Sequence, residues 1–357
     1  MTEKAQAALR PRQAIERMHP YVPPTAGRYG RERFDFNENT VGCSPRVIET
    51  LQRLATPDFL ATYPEYGDAR ERVAAFFGVP PGQLLFSAGT DEAIHVLIQT
   101  YVEPGDEVVM PWPTYPMFRF YAQVAGAEPK LVHYQEPSLA FPFEELFDAI
   151  TPRTRAILIA NPNNPTGGAI DLESVERILQ AAPQAALLID EAYFEFFGVT
   201  ALPLIESYPN LFVSRTFSKV YGLAALRVGC LLSRAENVAL LHKGQSPYSV
   251  NALGPLCAAA AVEDQDYIRA YVAEASASRS ALARALDEWG VPHYPSQANF
   301  ILARFGDEAG RVCQQMRERG FLLRDRRKEL AGAVRITVGP REQTERLINA
   351  LGEVLGR

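Results

Sequence analysis

The sequence predicts an α/β protein, with a large domain on a mostly parallel seven-stranded sheet and a smaller α+β domain after it. Three observations predict this. From residue 83 onward, short and nearly continuous apolar runs alternate with segments of helical spacing, the pattern of strands covered on both faces. Polar clusters sit where those runs end, and open parallel sheets bind ligands at the ends of their strands. Past about residue 250 the rhythm changes to long helices with a few short strands between them.

Bulk properties narrow the function. The 357 residues are 47% hydrophobic and 22% charged, enough apolar material for two cores. Net charge is −6, and the densest basic cluster, Arg324–Lys328, is diluted by Asp325 and Glu329. That balance argues against nucleic acid or a membrane surface as partner. No apolar stretch approaches the roughly 20 residues of a spanning helix, and residues 1–6 lack the apolar core of a secretion signal. Cys43, Cys230, Cys257 and Cys313 show no metal-ligand spacing and read as free thiols in a reducing compartment. The expected address is the cytoplasm.

In chain order, residues 1–36 form an arm. Pro11, Pro20, Pro23 and Pro24 interrupt it, Ala14–Met18 allows a helical turn or two, and it must lie against the small domain or a partner. The large domain is expected over 37–250. Phe36–Thr40 is a polar turn after a short strand, and Ser44 and Pro45 start a helix that runs to about Leu54. Thr62–Gly67 is an aromatic loop, and a helix over Asp68–Phe77 stops at Gly78. Strands are expected at Gln83–Ser87, Glu107–Met110, Lys130–Tyr134, Ala156–Ala160, Ala186–Ile189, Leu211–Ser214 and Gly229–Leu232. Helices over Thr90–Tyr101, Tyr115–Ala125, Phe143–Ile150 and Leu172–Ala182 connect them. The small domain, 251–357, has helices at Asn251–Ala261, Asp266–Trp289, Glu308–Arg319 and Glu342–Leu355, with strands at Asn299–Arg304, Phe321–Leu323 and Val334–Val338.

The chemistry centres on the segment between Leu211 and Leu232. Lys219 follows Ser218 directly, Thr216 precedes it by three residues, and Arg227 follows by eight. Burial destabilises a lysine's charged form and frees its amine as a nucleophile toward an aldehyde. Two hydroxyls and a guanidinium are donors suited to a phosphate dianion. An aldehyde that bears a phosphate and is carried covalently on lysine is pyridoxal 5'-phosphate. Alone, such a segment is more commonly a buried lysine neutralised by a neighbouring carboxylate, but other strand ends supply the remaining parts.

Asn161–Gly167, crowded with proline and asparagine, is a rigid turn that presents Asn164 to the phenolic oxygen of a pyridine ring. Asp190 ends an apolar run and stays ionised only beside a cation such as a protonated pyridine nitrogen. An N-cap role on the next helix is the alternative for it. Tyr193 lies within reach of the phenolic oxygen. Ser87–Glu92 opens a helix whose backbone N–H groups, with the Thr90 hydroxyl, can bind phosphate; Asp91 enters through its backbone amide. Tyr115 offers a ring face for stacking, worth about 0.5–1.5 kcal/mol beyond area burial, or is a core aromatic. Arg335, on an alternating strand, suits bidentate capture of a substrate carboxylate or phosphate; Arg324 shares that task or is simply solvated.

With these residues assembled, the chain resembles the fold-type I pyridoxal-phosphate aminotransferases of the class I/II superfamily, and within them the histidinol-phosphate aminotransferases. The resemblance runs through Asn37-Glu38-Asn39, Tyr63-Pro64-Glu65, Gly89-Thr90-Asp91-Glu92, Asn163-Asn164-Pro165-Thr166-Gly167, Asp190-Glu191-Ala192-Tyr193, Thr216-Phe217-Ser218-Lys219, Leu323-Arg324-Asp325 and Arg335–Gly339. It implies that Lys219 carries the cofactor and shuttles the substrate's α-proton, that Asp190 pairs with the ring nitrogen, and that Asn164 and Tyr193 hold the phenolic oxygen. Thr90, Asp91, Thr216, Ser218 and Arg227 surround the phosphate, and Tyr63 reaches the same phosphate in the partner of a homodimer. Arg335 holds the acidic end of the substrate, Tyr21 closes over it, and Asn39 and Arg324 complete the substrate site. The implied reaction is L-histidinol phosphate plus 2-oxoglutarate to imidazole acetol phosphate and L-glutamate. Relatives with the same framework transaminate aromatic amino acids or decarboxylate threonine phosphate. This chain departs from the family pattern at Thr40, where proline is usual, at Thr90, where alanine is usual, and at Ala225, where glycine is common.

Overall fold

The computed structural model describes residues 9–357; the expectation drawn from residues 1–6 lies outside them. The first strand, β1 (Glu32–Phe34), leaves the N-terminal segment. Seven more follow: β2 (Leu84–Ser87), β3 (Glu107–Trp112), β4 (Glu128–His133), β5 (Thr154–Ala160), β6 (Ala186–Asp190), β7 (Leu211–Thr216) and β8 (Gly229–Leu232). They form one sheet in the order β2-β8-β7-β6-β5-β3-β4. Only β8 runs against its neighbours; the other pairings are parallel. The strands fall on the apolar runs, but β3 and β7 extend two residues beyond them, to Trp112 and Thr216. Ladder pairing carries on into the polar residues there, which is why Thr216 is held by the sheet and not by a loop.

Strand periodicity divides the sheet's side chains between two cores. Ile157, Ile159, Leu187, Ile189, Leu211 and Val213 pack on one face, in a cluster continuous with Val334, Ile336 and Leu347 near the C-terminus. Leu158, Leu188 and Phe212 pack on the other, under Ile94 and Leu97 of the helix Gly89–Tyr101. Both faces are dry, so the strands read as unbroken apolar runs.

A second sheet, in the order β1-β10-β11-β9, is built from β9 (Phe300–Arg304), β10 (Phe321–Asp325), β11 (Ala333–Thr337) and the early β1. β1 lies parallel to β10, with Phe34 opposite Leu323. The N-terminal segment was expected against the small domain or a partner, but its helix Gln13–Glu16 lies on the large-sheet helix Pro116–Ala125, where Arg12 donates to the Val124 carbonyl. The chain joins the small sheet only at β1, and residues 35–40 cross from it back to the large one. Asn37 bends this crossing at φ +56°, a left-handed conformation that asparagine tolerates better than most residues. The helices Gln265–Glu288 and Arg341–Leu355 bury Leu282, Leu286, Leu347 and Leu351 in the same core. Three helices, Pro57–Ala61, Phe194–Phe197 and Ala235–Gly244, arise where the sequence pattern is silent.

Candidate active site

One cavity collects Thr90, Asp91, Tyr115, Asn164, Asp190, Tyr193, Thr216, Ser218, Lys219 and Arg227. These residues span more than 130 positions of chain, and each sits at a strand end or a helix start. Side-chain alternation explains the choice: in β7, Ser214 and Thr216 face one way and Arg215 the other. Ser214 donates its hydroxyl to Asp190 Oδ1 at 2.9 Å, which orients the carboxylate. The Thr216 hydroxyl in turn accepts the Ser218 backbone N–H at 3.1 Å, folding the chain back just before Lys219.

The loop after β5 is braced by the asparagines that do not reach the cavity. Asn161 exchanges two hydrogen bonds with the backbone of Ile170, and Asn163 bonds Pro113, Thr114 and Thr166. Asn164 is left to point inward, where its side-chain oxygen accepts from Arg335. The second nitrogen of that guanidinium donates to the Asp35 carbonyl.

Burial sets the electrostatics. Asp190 is 3% exposed, and burial pushes its carboxyl up to about 7, against the Ser214 hydrogen bond that favours the charged form. Among the described residues no cation lies within ion-pair distance of it. Burial likewise pulls the Lys219 amine down to about 8, helped by the nearby charge of Arg335, while Glu38, Asp91 and Asp190 oppose the shift. Lys219 Nζ donates to the Phe36 carbonyl at 2.8 Å. Tyr193 accepts from the Asn37 amide at 2.8 Å, and burial raises its phenol above the ordinary value.

At the opposite end, Asp91 does more than its backbone amide promised. Its carboxylate accepts from the Tyr115 hydroxyl at 2.6 Å and pairs with Arg227 at 3.1 Å. Gly89 makes room for this guanidinium: its φ is +75°, and a Cβ there would lie 2.6 Å from Arg227 Nη2. Arg227 itself takes a left-handed φ of +49°.

A neighbouring cavity shares Asp91, Tyr115, Asn164, Tyr193 and Lys219 and adds Tyr21, Phe36, Asn37, Arg324, Arg326 and Arg335. Arg324 donates to the Tyr21 hydroxyl at 3.0 Å and lies over the Phe36 ring at 5.3 Å. Two of the residues singled out from the sequence are absent from both cavities. Asn39 spends its amide on Val220, Val41 and Gly42, so it ties the crossing segment to the backbone after Lys219 and lines neither cavity. Asn37, two residues earlier, holds the inward position; the sequence does not separate the two asparagines, and the left-handed bend at Asn37 decides it. Tyr63 is 75% exposed and packs against Tyr248, ring centroids 4.7 Å apart and planes tilted by 38°, outside its own chain's cavity. Arg326 and Phe36 are the further cavity residues that motif reasoning passed over.

The donor set suits a flat, phosphate-bearing pyridine. A lone buried carboxylate awaits a cation at one edge of the cavity, and an amide and a phenol lie beside it. Hydroxyls, a helix start and an arginine collect on the cavity wall near Gly89. In the comparison with known proteins, the family described as aminotransferase class I and II matches residues 32–351. The histidinol-phosphate aminotransferase of Geobacillus sp. (strain WCH70) is 38% identical over 328 residues, 89% of this chain and 88% of that one. The enzyme of the same name from Paracoccus denitrificans (strain Pd 1222) is 37% identical over 330 residues, again 89% and 88%. Among solved structures, histidinol-phosphate aminotransferase from Sinorhizobium meliloti in complex with pyridoxal-5'-phosphate superposes with a TM-score of 0.88 at 29% identity, covering 98% of both chains.

Proposed function

The chain belongs to the class I and II aminotransferase family, and from that premise we propose that it is a pyridoxal-phosphate enzyme moving the amino group of L-histidinol phosphate to 2-oxoglutarate. The observation that carries this reading is the Asp190 carboxylate, buried without a cation and facing the cavity that Lys219 enters. The names of the relatives support the substrate, as do the arginines of the neighbouring cavity.

The residues take the following parts. Asp190 stays ionised against a protonated ring nitrogen, which offsets the cost of its burial. When bound, the cofactor's ring withdraws the electron pair left on the substrate's α-carbon. Asn164 and Tyr193 orient the ring's oxygen edge. Arg227, Thr90, Thr216 and Ser218 hold the phosphate, and Asp91 keeps Arg227 in position. Lys219 would anchor the cofactor and, once the substrate's amine has displaced its own, would take the proton from the substrate's α-carbon. Arg335 and Arg324 hold the substrate's acidic end, and Tyr21 closes over it from the N-terminal segment.

Tyr63 belongs to the site of a partner subunit in a homodimer. Its exposure, with that of Val41, Ile48 and Leu60 nearby in the chain and of Tyr248 against its ring, supports an apolar contact there. No helix among the described residues is long and apolar enough to cross a membrane, and the four cysteines are free, which supports a reducing compartment such as the cytoplasm.

A second reading, an aminotransferase for aromatic amino acids, is favoured by the aromatic walls Tyr21, Phe36 and Tyr115. Single-turnover mixing of cofactor-loaded protein with histidinol phosphate, phenylalanine, tyrosine or aspartate decides between the two. Histidinol phosphate should discharge the visible absorbance fastest. Preference for phenylalanine would install the second reading, and a wild-type protein with no such absorbance after incubation with the cofactor would end both.

A further inference from the structure

Arg326 plays no part in the roles just assigned. β10 ends at Asp325, and Arg326 follows it with its backbone N–H bonded to the Ala333 carbonyl at 3.0 Å, so alternation carries on: Arg324 and Arg326 line one cavity and Asp325 does not. Asp325 is taken up by Arg327 at 2.7 Å. The β10–β11 register sets Arg335 directly opposite Arg324. Three guanidiniums thus line one cavity. Like charges directly opposed across an antiparallel pair repel. Arg335 and Arg326 are 4% and 3% exposed, so water does little to screen them.

The protein compensates this charge thinly. The carboxylate nearest Arg326 among the described residues is that of Glu329, at 3.6 Å, too long for a hydrogen bond. Arg326 Nε and Nη2 and Arg335 Nε are buried with no hydrogen-bond partner. Buried polar groups in folded proteins are nearly always satisfied, and buried cations nearly always paired. Arg324, by contrast, is set in place by Tyr21 and the Phe36 ring. The surplus is one buried guanidinium more than a carboxylate needs. A carboxylate carries one charge on two oxygens and is satisfied by a single arginine fork. A phosphomonoester carries close to two charges on three oxygens.

We propose that Arg326, together with Arg324 and Arg335, makes this end of the cavity a dianion site, and that Arg326 selects amino donors bearing a phosphomonoester over donors ending in a carboxylate. The inference rests on reading the cavity as the substrate site of an aminotransferase, and deepens that reading by naming the residue that reads the second charge.

The test uses the full-length, cofactor-loaded protein, so that the cofactor's own phosphate site is filled. Calorimetry with inorganic phosphate is the probe independent of turnover. Arg326→Gln should weaken phosphate binding, and raise the KM for histidinol phosphate, by about 10- to 100-fold, the weight of one charge-assisted hydrogen bond. The kcat should change far less than the KM. Arg326→Lys should recover part of the loss, since it restores the charge without the fork. Glu329→Gln should tighten phosphate, because it removes the competing anion. If Arg326 and Glu329 form only a structural pair, both glutamine variants melt earlier and neither moves phosphate affinity, which overturns the inference. Equal losses for phosphorylated and unphosphorylated donors overturn it too. A wild-type protein that binds phosphate through Arg326 yet transaminates no donor sinks the aminotransferase reading and leaves the dianion site standing.

Discussion

Asp190 and Glu191 are consecutive residues, both carboxylates and both buried, and they meet opposite surroundings. Glu191 turns to the face of the large sheet where Arg215 Nη2 lies 2.7 Å away, and it also accepts from the Thr200 hydroxyl and the Ala201 amide. Arg215 is itself stacked on Phe194 at 3.6 Å, so the pair is enclosed. Asp190 turns to the other face, takes one hydroxyl from Ser214, and meets no cation. Burial raises both carboxyls, but at Glu191 the charge of Arg215 opposes the shift, and at Asp190 nothing of that strength does. The lesson is that a strand end can be completed from within the chain or left open for a ligand, and one residue of register separates the two.

Near-isosteric amides break the comparison most sharply. Asp190→Asn should cut turnover by about 10²- to 10³-fold, the scale of losing one preorganised electrostatic group. The same change should stabilise the cofactor-free protein at pH 8 by about 2 kcal/mol. The sign follows from the raised carboxyl. Its folded value of about 7 lies above the unfolded one, so the stability it contributes is complete in acid and is lost as pH rises through 7. An amide escapes that loss. Glu191→Gln should act oppositely and destabilise by about 3 kcal/mol, because Arg215 loses its buried partner. Denaturant unfolding of both cofactor-free variants at pH 8 reads the two signs side by side; equal signs would erase the distinction.

A middle-sized effect concerns Lys219. Cofactor attachment to the cofactor-free protein should accelerate as pH rises through about 8, where the amine loses its proton. Arg335→Gln removes a positive neighbour and should move that midpoint upward, toward an ordinary lysine. Stopped-flow rates across pH locate both midpoints; an unmoved midpoint would mean that burial alone depresses the amine. The smallest effect is at the phosphate end. Tyr115→Phe removes one hydrogen bond to Asp91 and should weaken cofactor binding by about 1 kcal/mol, read as a several-fold rise in Kd.

Much of this is legible in the sequence. The strands β5, β6 and β7 are written as apolar runs that stop at Asn161, Asp190 and Ser214, and buried strands have few other ways to read. Lys219 between Ser218 and Arg227 named its own chemistry. What was not legible lay in pairs distant along the chain. Asn37 and Asn39 look interchangeable in the sequence, and only the bend at φ +56° turns Asn37 toward Tyr193. The sequence offers only the backbone amide of Asp91 to a phosphate; the role of its carboxylate depends on Arg227 and Tyr115, which share it across the fold. Arg326 sat inside a charged run that resembled solvated surface, and its burial depends on strands from both ends of the chain meeting in one small sheet.

By itself, then, the sequence determined the order of strands and helices and the inventory of reactive groups. Those follow from periodicity and from side-chain chemistry, which act over a few residues. Only the tertiary structure decided which face each group turns to, which charges are answered within the chain, and which are left for a ligand. Those outcomes are set by long-range packing, where one step of strand alternation sends Glu191 to Arg215 and leaves Asp190 open to the cavity.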